Sequence, residues 1–490
     1  MNLTQRFRNF TFNVATSLLF TILFIAVVAA VYYAMPSRFR WIVLLLASLG
    51  FYIAVEPKLF FLAIISTLWA WWSGKKLAQN GQKRWLAIGI IPRVLSLFIF
   101  KYYNFFYESV LDLLKMTGIA LDSSFVRIAM PIGISYYTFK LIAYLVDIYK
   151  DKDKCEPHPG YFATYALFFP QVVCGPIQRP NDFLEQVHKT PGFDAQLFNY
   201  GFRLILLGLF KILVIANPIQ IYVNKVYSTF ETAPGLTLFC NAVLYSILIY
   251  CDFSGCTDIA TGSCNLLGLR CKRNFNAPYF SKNIHEFWKR WHISLTSWLR
   301  DYIYIPLGGN RVGKVRQKLN ILITFLVSGL WHGANWTFIF WGLIHGIWSV
   351  LTPRPPKTAP AETTHSLWQS AKAILATLCT GLGVTIAWIF FRSESIASAF
   401  RYIWRMVTKF RINLTDIQNS IVPFSGDSSS VYIFLTLTIG IVLLGIFEKK
   451  VFMQKKYEEQ PFPTAWMAVF FVFIILFGKF GQSGFIYANF

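Results

Sequence analysis

Long apolar stretches separated by short polar joints run along almost the whole chain. They fall at about residues 11–35, 41–55, 59–73, 85–106, 128–148, 198–222, 236–269, 319–350, 373–391, 431–447 and 464–480, eleven candidate spans. A helix needs about 20 predominantly apolar residues to cross a hydrocarbon core about 30 Å thick. The pattern therefore predicts an all-α polytopic membrane protein of about 11 transmembrane helices with re-entrant or half-buried elements. Thr11 to Met35 is too long for the apolar region of a signal peptide and lacks a clear small-residue cleavage site, so it reads as the first transmembrane helix.

Tyr161 to Ile177 interrupts the pattern. Pro170, Gly175, Pro176 and the following Pro180 argue against a straight helix, because each proline removes a backbone donor and clashes with the preceding turn. A re-entrant or half-buried element is expected there, lining something, since irregular backbone at membrane depth needs protein or a water-filled cavity around it; a kinked ordinary span is the alternative. Leu351 to His365 reads as a flexible loop and Phe410 to Ser430 as a second polar linker. With no internal repeat, heptad array or soluble domain, the chain is expected to be one membrane-embedded domain, 1–490, with amino-terminal helices to 128, a core at 129–350 and carboxy-terminal helices at 351–490.

Composition agrees: 55% of the 490 residues are hydrophobic and 14% charged, against about a quarter charged in soluble proteins. The formal charge of +23 is compatible in principle with nucleic-acid binding, but the basic residues lie between apolar runs and form no separate domain. They read as cytoplasmic loops facing lipid, with no nucleic-acid partner. Arg38, Arg40, Lys75, Lys76, Lys83 and Arg84 fall on one side of the first spans against Arg6, Arg8 and Lys58 on the other, which predicts an outside amino terminus. Counting every run as one crossing keeps Arg270–Lys318 cytoplasmic and puts the 351–365 loop outside. The same count strands Lys449, Lys450, Lys455 and Lys456 outside, offset in part by Glu448, Glu458 and Glu459. Cys251, Cys256, Cys264 and Cys271 have no C-x-x-C spacing and read as small buried hydrophobes rather than zinc ligands or bridges.

Candidate chemistry concentrates between His285 and Gly346. Asn320 to Val350 contains no Asp, Glu, Lys or Arg, which places His332 inside the bilayer, where a titratable side chain is costly unless it faces protein or water and so reads as functional. A neutral imidazole, with an unperturbed pKa of about 6.5, can take a proton from a hydroxyl as a general base; the plainer alternative is a histidine satisfied by a neighbouring carbonyl. On one continuous helix, Asn335 lies a turn away on the same face, placed to orient the ring. His292 sits amid Lys289, Arg290 and Arg300, a cationic cluster suited to phosphate groups or, equally, an interfacial aromatic and cationic belt. His345 lies 13 residues beyond His332, on another helix face, and reads as packing. Asp252 and Asp258 stand in an apolar span, so they need partners, expected from the cationic segment or a pore, and read as structural polar groups.

Several stretches resemble the membrane-bound O-acyltransferase (MBOAT) family. They are Trp288-Lys289-Arg290-Trp291-His292-Ile293-Ser294, Trp298-Leu299-Arg300-Asp301-Tyr302, Tyr304-Ile305-Pro306-Leu307-Gly308-Gly309-Asn310-Arg311 and Leu330-Trp331-His332-Gly333-Ala334-Asn335-Trp336. Tyr250-Cys251-Asp252-Phe253-Ser254-Gly255-Cys256-Thr257-Asp258 is similar to a further family motif, with Cys256 where Tyr is commoner. Met130–Phe139, Phe169–Ile177 and Gly478–Tyr487 resemble the bacterial branch that includes the alginate O-acetyltransferase membrane subunit; the teichoic acid D-alanyl transferases are a more distant branch. The resemblance implies helices around a central tunnel, catalytic His332 with His292 as a second active-site position, and substrate or donor contacts from Lys289, Arg290, Arg300, Asp301 and Asn335. It further implies a donor that is acetyl-CoA or another acyl carrier, no bound cofactor or metal, and acetylation of an extracytoplasmic polysaccharide from the bacterial inner membrane. Transfer would be direct or through a separate extracytoplasmic acetyltransferase of the SGNH type. No P-loop, G-x-S-x-G elbow or recognisable Cys/His pair points to an acyl-enzyme. Competing readings are a transporter or flippase of an acylated or lipid-linked intermediate, a D-alanyl-type transferase, and a structural subunit with an inactive site.

Overall fold

A computed structural model describes residues 18–118, 127–172, 174–353, 367–421, 429–453 and 462–480. Among these residues every regular element is helical. Among the described residues six helices are long and apolar enough to cross a membrane: Ser37–Val55, Lys83–Met116, Ala195–Ser228, Gly235–Leu266, Trp368–Arg392 and Ser430–Phe452. Thr21–Ala34, Trp336–Leu351 and Thr464–Phe477 are shorter apolar helices. The chain is a multi-pass membrane protein. It forms two compact units, Met1–Gly201 with Ala260–Lys272, and Phe202–Ile259 with Arg273–Phe490.

The first unit contains α1 (Leu18–Ala34), α2 (Arg40–Val55), α3 (Phe60–Asn80), α4 (Lys83–Leu97), α5 (Tyr103–Met116) and α6 (Ile134–Lys150). A π-helical turn, Phe98–Tyr102, joins α4 to α5. The proline-rich stretch is broken as expected, into α7 (Pro159–Leu167), the four-residue α8 (Phe169–Val172) and α9 (Pro180–Lys189). Its polar residues wrap a buried ammonium: Lys140 Nζ donates to the Tyr165 carbonyl at 2.5 Å and to Gln171 Oε1 at 3.1 Å, while Gln171 Nε2 donates to Gln178 Oε1 at 2.6 Å. A buried charge must be hydrogen-bonded to persist, which accounts for two glutamines in an otherwise apolar element.

From α10 (Ala195–Leu209) the chain passes through a π-helical stretch, Phe210–Ala216, into α11 (Asn217–Ser228), followed by α12 (Gly235–Leu266). The second unit continues with α13 (Ile284–Arg290), α14 (Ile293–Leu299), a π turn at Arg300–Tyr304, α15 (Lys314–His332) and α16 (Trp336–Leu351). After these come α17 (Leu367–Arg392), α18 (Ile396–Thr408), α19 (Leu414–Ile421), α20 (Ser429–Phe447) and α21 (Thr464–Phe477). The linker expected at 410–430 thus contains a short helix. The carboxy-terminal motif residues 481–487, most of the 351–365 loop and Lys455, Lys456, Glu458 and Glu459 lie outside the described residues.

The run 319–350 is not one span. Its helix ends at His332, Gly333 is extended (φ −170°, ψ 157°), and a new helix starts after Asn335. α15 and α16 then pack antiparallel: a Cβ on Gly329 would run into the Phe338 carbonyl, and one on Gly342 into the Phe325 carbonyl. Hydropathy cannot detect this break, because the turn Gly333-Ala334-Asn335 carries no charge. Both ends of a hairpin share a side, so Leu351 lies on the side of Lys314–Lys318, not on the opposite one.

Candidate active site

The hairpin turn fixes the central histidine. Asn335 Oδ1 accepts from the Thr337 amide at 3.0 Å and its Nδ2 donates to the Glu394 carbonyl at 3.2 Å, so one side chain caps α16 and ties it to the end of α17. Asn335 is therefore not a turn along a shared helix face from His332, because the helix carrying His332 has already ended. His332 is 3% exposed. Its ring sits among Trp331, Trp341 and Phe391 at centroid distances of 4.9, 5.1 and 5.4 Å, edge-to-face arrangements that aromatic quadrupoles favour.

His292 is fully buried and packs on Phe253 at 4.8 Å and on Trp331 at 5.9 Å. Trp331 thus touches both histidines. The His292 backbone is left-handed (φ 42°, ψ 56°), a strained conformation for a residue with a Cβ. It is held where Ile293 N donates to the Asn274 carbonyl at 2.9 Å and Ser294 N to Asn274 Oδ1 at 3.2 Å. Neither ring nitrogen has a hydrogen-bond partner among the described residues. Burial pushes the imidazole down to about 3, so it stays neutral at physiological pH. The Trp-rich segment is accordingly core and not a surface belt: Trp291 is fully buried beside it. His345 is buried too, separated from His332 by Trp341, whose ring lies 4.9 Å from it.

The cationic candidates lie close in sequence but differ in availability. Arg290 Nη2 pairs with Glu286 Oε1 at 2.7 Å and Arg300 Nε with Asp301 Oδ1 at 2.8 Å. The Asp301 carboxylate raises the Arg300 guanidinium above its ordinary range. Lys289 is exposed and makes no ion pair among the described residues.

Asp258 finds its partner inside the apolar core and not in the cationic segment. Lys211 Nζ donates to Asp258 Oδ2 at 2.9 Å and lies 3.7 Å from Glu448 Oε1, to which the Tyr250 hydroxyl also donates. Sequence reasoning passed over Lys211, a solitary cation within the apolar run 204–224, and counted Glu448 only as a loop charge, whereas Glu448 is buried. A lone ionisable residue at membrane depth implies a partner. Each stands in a π-helical stretch, Phe210–Ala216 or Glu448–Phe452, and such bulges recur at functional positions. Asp252 is 5% exposed in the same helix.

Beside His332 a cavity of about 390 Å³ opens between α11, α12, α16 and α17. Phe338 and Phe391, whose rings lie 4.7 Å apart, form part of its wall, and Phe391 also touches His332. The arrangement sets a buried histidine in an apolar surround beside a cavity with polar walls.

A family model described as MBOAT, membrane-bound O-acyltransferase family, matches residues 150–352. A protein named "Probable alginate O-acetylase AlgI" from Pseudomonas syringae pv. tomato is 34% identical over 462 residues, covering 91% of this chain and 84% of that protein. A peptidoglycan O-acetyltransferase of Helicobacter pylori is 33% identical over 427 residues, covering 80% and 78%. A teichoic acid D-alanyltransferase of Streptococcus thermophilus is 30% identical over 236 residues, covering 45% and 56%. Similarity of this extent along nearly the whole chain, with the motifs around His292 and His332 inside the matched region, means that the chain belongs to the membrane-bound O-acyltransferase family and is an acyltransferase.

Proposed function

We propose that this enzyme moves an acetyl group from cytoplasmic acetyl-CoA for O-acetylation of an extracytoplasmic polysaccharide, directly or through a separate extracytoplasmic acetyltransferase, with His332 as general base. The observation that carries the reading is His332 itself, buried at the hairpin turn against Phe391, which lines the adjoining cavity. The relatives' names support acetyl rather than D-alanyl transfer, since the O-acetylating relatives match over most of the chain and the D-alanyl transferase over less than half. In the step proposed, His332 takes the proton of the acceptor hydroxyl as its oxygen attacks the thioester carbonyl. The carbon–sulfur bond breaks, and the imidazolium returns the proton to the departing thiolate. His292 faces the same indole as His332 and is the second catalytic candidate. Lys289, with Arg290, Arg300 and Asp301 near it in sequence, is the candidate contact for the phosphates of CoA.

The hairpin supports an outside amino terminus, and the bacterial relatives support an inner-membrane location. Counting 314–351 as a return to the same side puts Leu351 on the cytoplasmic side, with Lys314, Arg316 and Lys318. One crossing by α17, with α18 and α19 too short to span, then brings Lys449 and Lys450 back to that side through α20. The positive-inside misfit disappears.

Purified protein in liposomes given radiolabelled acetyl-CoA tests the reading. Cleavage of the thioester, or transfer to added polysaccharide, is expected. Uptake of label with the thioester intact would instead establish a transporter.

A further inference from the structure

The short helix α18 (Ile396–Thr408) sorts its side chains into three stripes. Ala399, Tyr402 and Met406 are buried, and the Tyr402 hydroxyl donates to the Leu238 carbonyl of α12 at 2.7 Å. Phe400, Trp404 and Val407 are 52, 72 and 66% exposed. Arg401, Arg405 and Thr408 follow these by one position each. Successive residues of a helix are turned by about 100°, so one side of α18 faces the protein, the next is apolar and uncovered, and the third is polar. A helix that is apolar over two sides and polar over the third suits a boundary between hydrocarbon and water.

Both ends of α18 are pinned to membrane-spanning helices. The span Trp368–Arg392 is followed by only Ser393, Glu394 and Ser395 before α18 begins, and three residues reach at most about 11 Å. Ser395 starts the new helix there by a reciprocal cap with Ser398. At the other end, the amide of Gly235, the first residue of the span Gly235–Leu266, donates to the Lys409 carbonyl at 3.0 Å. Arg405 Nε donates to the Ala233 carbonyl at 2.9 Å, and Arg401 pairs with Glu231 at 3.1 Å. A Cβ on Gly235 would run into the Lys409 backbone, so this junction is close. A helix held at one end by the finish of one span and at the other by the start of another has both ends at one membrane surface. It therefore lies along that surface.

We infer that α18 is an in-plane interfacial helix whose partner is the lipid surface, with Phe400, Trp404 and Val407 seated beneath the lipid phosphates and the exposed Lys409 and Arg411 reaching up to them. Tryptophan is suited to this level, its ring apolar and its N–H free to meet the headgroups, and long cationic side chains extend from an apolar bed to charge above it. Lipid is the occupant because α18 borders a surface already turned to hydrocarbon. Phe400 rests on Phe390 of α17 at 5.2 Å, and α17 exposes Leu375, Leu378 and Leu382 along its span. The inference uses the spans and not the chemistry of His332.

The test places the full chain in phosphatidylcholine–phosphatidylglycerol vesicles, with a single spin-labelled cysteine in each of Phe400→Cys, Trp404→Cys, Val407→Cys and Thr408→Cys and with Cys155, Cys240, Cys271 and Cys379 changed to serine. The first three labels are expected to be relaxed more by oxygen, which dissolves in lipid, than by a water-soluble nickel chelate, and the Thr408→Cys label the reverse. A Trp404→Cys label reached mainly by nickel would put the stripe in water, and one shielded from both reagents would put a protein or a second copy of this chain on it; either overturns the proposal. Should the labelled variants fail to fold, Trp404→Phe decides, because it keeps an aromatic ring in place. Lipid brominated near the headgroup should quench more emission from wild type than from Trp404→Phe, and equal quenching overturns the proposal.

Discussion

His332 ends one helix and Asn335 caps the next, so the position of the candidate base depends on an amide three residues away that does not share its helix. Asn335→Ala removes the cap on α16 and its tie to Glu394, a loss of about 0.5–2 kcal/mol. Transfer should fall by more than the lost stability implies, because the turn holding His332 loosens, and Asn335→Ser should recover most of it by capping again. Thermal melts and acetyl transfer in the same detergent check this. Full activity in Asn335→Ala would dissociate the turn from the chemistry.

The hairpin makes a topological prediction. Single cysteines introduced at Gly313 and at Pro353, in a background lacking the exposed Cys379, should react with a membrane-impermeant thiol reagent from the same side, the cytoplasmic one in the proposed orientation. Reaction from opposite sides would restore a single crossing through 319–350.

Lys211 is shared by two buried carboxylates, Asp258 and Glu448. Removing one partner of a buried ion pair strands the other, at about 3–5 kcal/mol, whereas removing both is much milder. Lys211→Met should therefore lower the yield of folded protein and its Tm sharply, and Lys211→Met with Asp258→Leu should recover part of the loss. Equal stability of Lys211→Met and wild type would show the cluster to be dispensable to the fold.

Much of this was legible in the sequence because hydropathy is a strong signal and the motif residues are adjacent in the chain. The apolar runs at 198–222, 236–269 and 373–391 reappear as helices, and Pro170 and Pro180 break their segment for the steric reason that predicted it. What escaped were features that hydropathy does not encode. The Gly333–Asn335 turn is uncharged, so one run hid two helices. The amphipathic α18, at 13 residues, is too short to register as a span. The Lys211–Asp258 pair joins positions 47 apart, and nothing in the sequence singles out Arg392, which α17 places beside Asn224 and Tyr245.

Of Lys289, Arg290 and Arg300, Lys289 is the one that makes no ion pair among the described residues. Lys289→Ala should weaken acetyl-CoA binding more than Arg290→Ala does, since Glu286 already occupies Arg290, and the Lys289→Ala deficit should shrink as salt rises. Isothermal titration at two ionic strengths decides; unchanged affinity in a variant carrying both Lys289→Ala and Arg290→Ala would move the donor site elsewhere.

The central claim is that His332 removes the acceptor's proton. The most direct measurement is radiolabelled acetyl transfer by wild type, His332→Ala and His332→Gln at matched membrane levels, with His345→Ala as a control for loss of a buried aromatic ring. The account predicts that both His332 variants insert and bind acetyl-CoA normally yet lose roughly 10²- to 10⁴-fold in transfer, because glutamine keeps hydrogen-bonding capacity but takes no proton at neutral pH. Near-normal turnover by His332→Gln would contradict it and pass the role to His292.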